Sequence, residues 1–262
     1  MRTNPDLEPR ERARAVSLFP DVLDHDRAVE RVIELTRRGT GGYVCFSTVH
    51  MVMESHDSPA FAEKVNAADI IVTDGMPIVW MQRLQGHRGQ RIRANDLMIS
   101  LCRRAEELGL RVGFFGGMPE VIEEIKARAA EDFPRLDVVY AYSPPFRPAT
   151  ADEDAAVVAE IERARPDLLF VGLGCPKQEN WMAGHRDQLN AVMLGVGASF
   201  DFFAGNVRES PAWLGRLGLE WLYRLFQEPK RLWRRYLYLN PRFMALAAFQ
   251  LARGGFSRKN AR

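Results

Sequence analysis

The segment AADIIVTDGMPIVW, residues 67–80, runs from an apolar stretch into a helical pattern through the pair Asp74 and Gly75. Similar apolar runs recur along the chain and predict six short buried strands, at residues 43–47, 69–73, 111–115, 136–140, 168–172 and 191–196. Amphipathic helical patterns lie between them, including residues 26–38, 95–108, 119–130 and 152–163. This alternation predicts an α/β fold with a mainly parallel, Rossmann-like sheet covered by helices on both faces.

Composition limits the class of protein. The 262 residues are 47% hydrophobic, which is enough for one large core. Cys45, Cys102 and Cys175 are odd in number and far apart, so they predict neither a disulfide framework nor a zinc site, and a reducing cytoplasm fits best. Residues 1–20 are rich in charge and have no apolar run of the signal-peptide kind, which predicts a polar leader that can be disordered.

Charge is distributed unevenly. The net charge is +2, but residues 208–262 hold twelve Lys or Arg and three Glu. Strand patterns end near Gly205, so we expect a catalytic core at residues 21–205 and a helical appendage at residues 206–262. The basic excess predicts an anionic partner for this appendage: nucleic acid, acidic lipid headgroups or a diphosphate-bearing substrate.

Candidate site residues follow the predicted strands, because ligands of such sheets bind beyond the carboxyl ends of the strands. Asp74 stands at such an end, above Gly75, which permits close approach. A carboxylate there can accept the proton of a hydroxyl nucleophile, so Asp74 is the candidate catalytic base. The alternative is that Asp74 caps the helix that starts near Met76.

Other strand ends carry glycine and polar residues. Gly116 and Gly117 suit either a backbone cradle for phosphate or ribose, or close packing of helix against strand. Gln178, in the first turn of a helix opened by Pro176, is suited to bonding a sugar or uracil edge. Asp201 can hold a sugar hydroxyl or cap a turn.

Metal and nicotinamide cofactors are not predicted. Acidic clusters at residues 24–26 and 152–154 look like an Asp-x-Asp metal motif, but both precede helical patterns, so helix capping explains them better. The glycine segments lack the third glycine of a dinucleotide fingerprint. Of the five scattered histidines, His50 is the one beside a predicted strand end.

The appendage interleaves aromatic and basic residues in the run GLEWLYRLFQEPKRLWRRYLYLNPRF. Such a surface can insert rings such as Trp221, Trp233 and Tyr236 at the lipid headgroup level, while guanidinium groups hold phosphates. Arg224, Arg231 and Arg234 are spaced to share one helix face. The alternative is an ordinary packed helix with a solvated basic side.

Six ordered motifs together make the chain resemble the WecG/TagA/CpsF glycosyltransferases, glycosyltransferase family 26. They are ADIIVTDGMP, RIRANDLM, GFFGG, GLGCPKQENW, VGASFDFFAG and LEWLYRLFQEPKRLWRR, and the resemblance spans residues 21–243. It implies transfer of N-acetylmannosamine, its uronate, glucose or glucuronate from UDP to an undecaprenyl-diphosphate-linked saccharide in surface polysaccharide synthesis. The reaction implied inverts the anomeric carbon without a metal, on the cytoplasmic membrane surface.

The same resemblance assigns roles to residues. It implies Asp74 as the base, Thr48, Arg91, Gln178 and Asp201 near the donor or acceptor, and Arg224, Arg231 and Arg234 on the lipid diphosphate. His50 stands where the family usually has Asn, and Ala94 where glycine is frequent, which leaves the sugar open. Two competing hypotheses are a nucleotide-dependent oxidoreductase and a non-enzymatic membrane or nucleic-acid binding module. A nucleic-acid partner is not expected, and a homo-oligomer stays open.

Overall fold

The computed structural model describes residues 10–207, 210, 211, 214, 215 and 218–258, without the side chains of residues 231, 234, 235 and 254–258. The described residues form a six-stranded parallel sheet in the order β2-β1-β6-β5-β3-β4. The strands are β1 Gly42–Ser47, β2 Ile70–Thr73, β3 Arg111–Gly116, β4 Asp137–Tyr142, β5 Leu168–Gly172 and β6 Val192–Gly195. Each lies at a predicted position, so the predicted α/β sheet is confirmed.

Helices connect and cover these strands. Those of the core are α1 His25–Arg37, α2 Val49–Asp57, α3 Pro59–Asn66, α4 Met76–Leu84, α5 Ala94–Leu108, α6 Pro119–Asp132, α7 Ala151–Ala164, α8 Lys177–His185 and α9 Ser199–Phe203. In the appendage, α10 spans Glu220–Gln227 and α11 spans Pro229–Arg258. The four helical patterns singled out from the sequence correspond to α1, α5, α6 and α7.

Two apolar layers hold the helices against the sheet. Alternate residues of a strand point to opposite faces, so Val44 and Phe46 of β1 join one layer while Tyr43 and Cys45 join the other. The first layer packs against α1, α5, α6 and α9. The second packs against α2, α3, α7 and α8, and Phe243 of α11 joins it. Both faces of the sheet are therefore covered, as the apolar strands require.

The acidic clusters cap helices, as predicted. The Asp24 side chain accepts a hydrogen bond from the Arg27 backbone N–H at 2.8 Å and caps α1. At α7 the Thr150 hydroxyl accepts from the Glu153 N–H, and the Glu153 carboxylate accepts from the Thr150 N–H. This reciprocal arrangement is a capping box.

The first and last described segments of the chain pack on the core. Within the stretch assigned to the leader, Ala15 and Leu18 are buried, and the Arg10 guanidinium pairs with the buried Asp21 carboxylate at 2.6 Å. In the appendage, α11 packs along α2 and α10 and buries Leu232 and Phe243. Among the described residues, no helix combines the length and apolarity needed to span a bilayer.

Candidate active site

A cleft opens at the carboxyl ends of β1 and β2. Thr48 follows β1 and Asp74 follows β2, and because these strands are neighbours and parallel, both residues reach the same edge of the sheet. The cleft encloses about 130 Å³. It is lined by Thr48, Val49, His50, Asp74, Gly75, Met76, Pro77, Arg91, Gly218, Glu220, Trp221, Arg224, Tyr236 and Asn240. Core and appendage therefore build it together.

Asp74 is not the cap of the helix that follows it. The N-cap residue of α4 is Gly75, and no side chain of the described residues makes a capping hydrogen bond there. The Asp74 backbone N–H instead donates to the Ser47 carbonyl at 3.0 Å, which ties the end of β2 to the end of β1. Its carboxylate lines the cleft and is 20% exposed. The capping alternative thus loses its structural basis.

The surroundings of Asp74 bring the pKa of its carboxylate closer to neutral pH. Burial raises the pKa of Asp74 to about 6, because a carboxylate loses hydration there. The positive charge of Arg91 opposes this, and the negative charge of Glu220 reinforces it. Arg93 and the backbone N–H of Ala94, at the start of α5, also favour the charged form, but burial dominates.

Arg91 connects the two carboxylates. Its Nε donates to the Asp74 carbonyl oxygen at 2.7 Å, which fixes the guanidinium beside β2. Its Nη2 lies 2.8 Å from Glu220 Oε2 and 3.5 Å from Asp74 Oδ1. Glu220 comes from α10, and sequence reasoning missed it, because a glutamate in the first turn of a helix is ordinary.

Thr48 and His50 also line the cleft. The Thr48 hydroxyl accepts a hydrogen bond from the Met51 N–H at 3.3 Å and so caps α2. His50 Nε2 lies 3.3 Å from Glu54 Oε1, one helical turn further along. Both side chains were predicted at the site, and the structure places both of them on the cleft wall.

The appendage supplies the remaining wall. Glu220 and Arg224 are four residues apart on α10 and face the cleft, and the Arg224 guanidinium lies 5.3 Å from the centroid of the Phe202 ring. The rings of Trp221 and Tyr236 lie 5.7 Å apart and line the same space. The sequence assigned these two rings to lipid headgroups, whereas here they contact the cleft. The side chains of Arg231 and Arg234 lie outside the described residues.

Gly116 and Gly117 lie at the far end of the same sheet edge and do not line this cleft. Gly116 has φ +120°, and a Cβ there would stand 2.6 Å from the Gly172 carbonyl carbon. The Gly117 N–H donates to the Gly172 carbonyl oxygen at 3.1 Å. Close contact between β3 and β5 therefore accounts for Gly116.

Gln178 and Asp201 also lie away from the cleft. The buried Gln178 amide accepts from the Gly174 N–H at 3.0 Å and donates to the Gly195 carbonyl and the Glu179 carboxylate, each at 2.7 Å. These bonds join the loop after β5 to the end of β6. Asp201 lies in the first turn of α9, and its carbonyl accepts from the Asn206 N–H. The substrate-binding roles of both residues stay predictions.

Comparison with known proteins decides the family. The model of the glycosyl transferase WecG/TagA/CpsF family matches residues 16–256, which is most of the chain and includes both the core and the helices of the appendage. The chain belongs to this family. The resemblance found in its six motifs is thereby confirmed, and the cleft just described is the candidate active site of a glycosyltransferase.

Named relatives of this glycosyltransferase are similar over most of their length. A protein of Bacillus spizizenii strain W23 is 35% identical over 199 residues, which is 75% of each chain. One from Bacillus subtilis strain 168 is 34% identical over 179 residues, 68% of each chain, and one from Staphylococcus aureus strain MW2 is 33% identical over 177 residues, 67% of this chain and 68% of its own. All three are named N-acetylglucosaminyldiphosphoundecaprenol N-acetyl-beta-D-mannosaminyltransferase.

Proposed function

We propose that this glycosyltransferase moves a sugar from a UDP-sugar to an undecaprenyl-diphosphate-linked saccharide, with inversion at the anomeric carbon. The observation that carries the proposal is the mostly buried Asp74 carboxylate, whose pKa is raised to about 6 at a strand end of the cleft. The names of the relatives supply the acceptor class and make N-acetylmannosamine the first sugar to test.

The proposed reaction is a single displacement. A hydroxyl of the acceptor gives its proton to the Asp74 carboxylate while its oxygen forms a bond to the anomeric carbon. The bond from that carbon to the diphosphate breaks at the same time, and UDP leaves with the electron pair. Attack from the face opposite the leaving group inverts the carbon. Arg224, on the cleft wall, offers a positive charge to a diphosphate group.

The proposed site of action is the inner surface of the cytoplasmic membrane, reached through the appendage. Large apolar side chains are exposed there: Phe226, Trp233, Leu237, Tyr238, Met244 and Phe249. They accompany the basic excess of residues 208–262. Exposed rings beside cations suit the headgroup region of an anionic leaflet, so attachment from one side is the expected mode.

The experiment is a transfer assay with a panel of UDP-sugars and N-acetylglucosaminyl-diphospho-lipid acceptors, with UDP and the lipid product both measured. We expect one UDP released per disaccharide formed, an inverted linkage, and unchanged rates in EDTA. Acceptor held in anionic vesicles should lose rate as salt rises, whereas a short-chain acceptor in solution should not. UDP release without a lipid product, or nicotinamide-dependent oxidation instead, would overturn the proposal.

A further inference from the structure

Arg91 is shared unequally between two carboxylates. Its Nη2 lies 2.8 Å from Glu220 and 3.5 Å from Asp74, so the closer partner belongs to α10 of the appendage and not to the strand end. All three side chains are mostly buried, with exposed fractions of 15–20%. In such surroundings the choice of partner matters, because charges interact more strongly than in water.

We propose that Glu220 is a positioning residue, which holds the Arg91 guanidinium back from full pairing with Asp74 and so keeps Asp74 a competent base. The proposal rests on the function of Asp74 proposed above. It adds that the strength of the base depends on a residue that the appendage delivers.

The geometry limits what Arg91 can do. Its Nε is held by the Asp74 carbonyl oxygen at 2.7 Å, so the guanidinium stays beside β2 whichever carboxylate it meets. Among the described ion pairs, Nη2 of Arg91 has two carboxylate partners, so without the charge of Glu220 the Asp74 carboxylate remains. The 3.5 Å separation can then shorten to a charge-assisted hydrogen bond, which stabilises the carboxylate and weakens it as a base.

Arg93 and the Ala94 backbone N–H also affect the charge state of Asp74. Arg93, in the loop before α5, has its Nε 3.9 Å from Glu220 Oε2, so Glu220 attracts both arginines. Arg91, Arg93 and the Ala94 backbone N–H lower the pKa of Asp74, and Glu220 raises it. His50 and Arg224 also line the cleft. Removing the charge of Glu220 therefore lowers the pKa of Asp74 directly and releases Arg91 toward it, whereas Arg93 keeps Asp96 as a partner at 3.7 Å.

The test is the pH profile of kcat/KM, which reports the free enzyme, with kcat and KM also measured separately, in the full chain of wild type, Glu220→Gln and Glu220→Asp. Glu123→Gln is the matched control, because Glu123 lies on α6, is 71% exposed and pairs with Lys126. Wild type should lose activity below about pH 6 as Asp74 is protonated. In Glu220→Gln the acid limb should move down by roughly one pH unit and the plateau should fall by roughly 3- to 10-fold, since a weaker base accepts the proton less readily. Glu220→Asp keeps the charge, so its acid limb should lie close to that of wild type. The acid limb of the control Glu123→Gln should also stay in place.

The outcomes separate this proposal from the one it rests on. An acid limb that stays in place in Glu220→Gln would overturn the positioning role, as would a rise in the KM for either substrate without a change in kcat. If Glu220→Gln fails to fold, Glu220→Ala takes its place, because it also removes the charge; its acid limb should move down in the same way, and a limb that stays in place contradicts the proposal. An active Asp74→Asn enzyme would instead refute the base itself.

Discussion

The two ends of the sheet's carboxyl edge look alike in sequence and differ in structure. Both carry glycine and polar residues directly after a strand. At the β1–β2 end, Asp74 and Thr48 line an open cleft, and Asp74 and Arg91 keep one fifth or less of their side chains exposed. At the β3–β5 end, Gly116 is packed against the Gly172 backbone and the Gln178 amide is bonded to backbone groups.

The difference shows that a strand-end glycine does not by itself predict a ligand cradle. A glycine is required wherever two backbones approach closely, and Gly116 meets that condition without any ligand. What separates the two ends is an ionisable side chain that remains partly exposed after the neighbouring backbone is satisfied. Asp74 has that property, and the burial of most of its carboxylate raises its pKa.

The largest expected effect is on catalysis at the β1–β2 end, where Asp74 lies. Asp74→Asn should lower kcat by about 10²- to 10⁴-fold, because the amide cannot accept the proton of the acceptor hydroxyl. The KM of the donor should change little, since the shape of the side chain is kept. Steady-state transfer kinetics at pH 7.5 measure both. Retention of more than roughly a third of the wild-type rate would remove Asp74 from the chemistry.

At the β3–β5 end, substitution of the glycine should lower the stability of the fold. Gly116→Ala must separate β3 from β5 at a contact of 2.6 Å and also adopt φ +120°, so we expect a loss of about 3 kcal/mol or more in the free energy of unfolding. Gly109→Ala is the control: Gly109 has φ +66° with nothing within 4 Å of its Cβ position, so it should cost about 1 kcal/mol. Denaturant unfolding gives both values. If the two variants were equally stable and Gly116→Ala raised the KM of the donor, Gly116 would be a ligand contact after all.

The fold was predictable because its signals are local. Each strand is an apolar run such as Leu168–Gly172, and each run is followed by turn residues and a helical period. Asp74 was placed at this edge for the same reason, since it directly follows a buried strand, whereas Thr48 was placed there by the family resemblance.

The partner of Arg91 was not predictable in this way. Glu220 reaches Arg91 only because α10 folds back across the sheet edge, and nothing in the neighbouring residues records that long-range contact. Trp221 and Tyr236 were assigned to the membrane for their amphipathic rings. Their place on the cleft wall depends on how α10 and α11 pack against each other.

The smallest expected effect is on the pH dependence of stability at the β1–β2 end. A carboxyl group whose pKa is higher in the folded chain than in the unfolded chain stabilises the fold below the unfolded value, near 3.9, and loses that contribution as pH rises through the folded value. For Asp74 the folded value is about 6, so its charge destabilises the fold at pH 8 and not at pH 4.

Asp74→Asn removes this charge. The melting temperature of the variant minus that of wild type should therefore increase as pH rises from 5 to 8. All other titrating groups are common to both proteins and largely cancel in the difference. The pKa of about 6 already includes the attraction to Arg91, so the expected gain is on the order of 1 kcal/mol, which corresponds to about 2–4 °C for a chain of this size. Thermal unfolding of both proteins at four pH values measures it. A difference that is flat or falls with pH would mean that Arg91 and the Ala94 N–H outweigh burial, and Asp74 would then be a weaker base than the proposed mechanism requires.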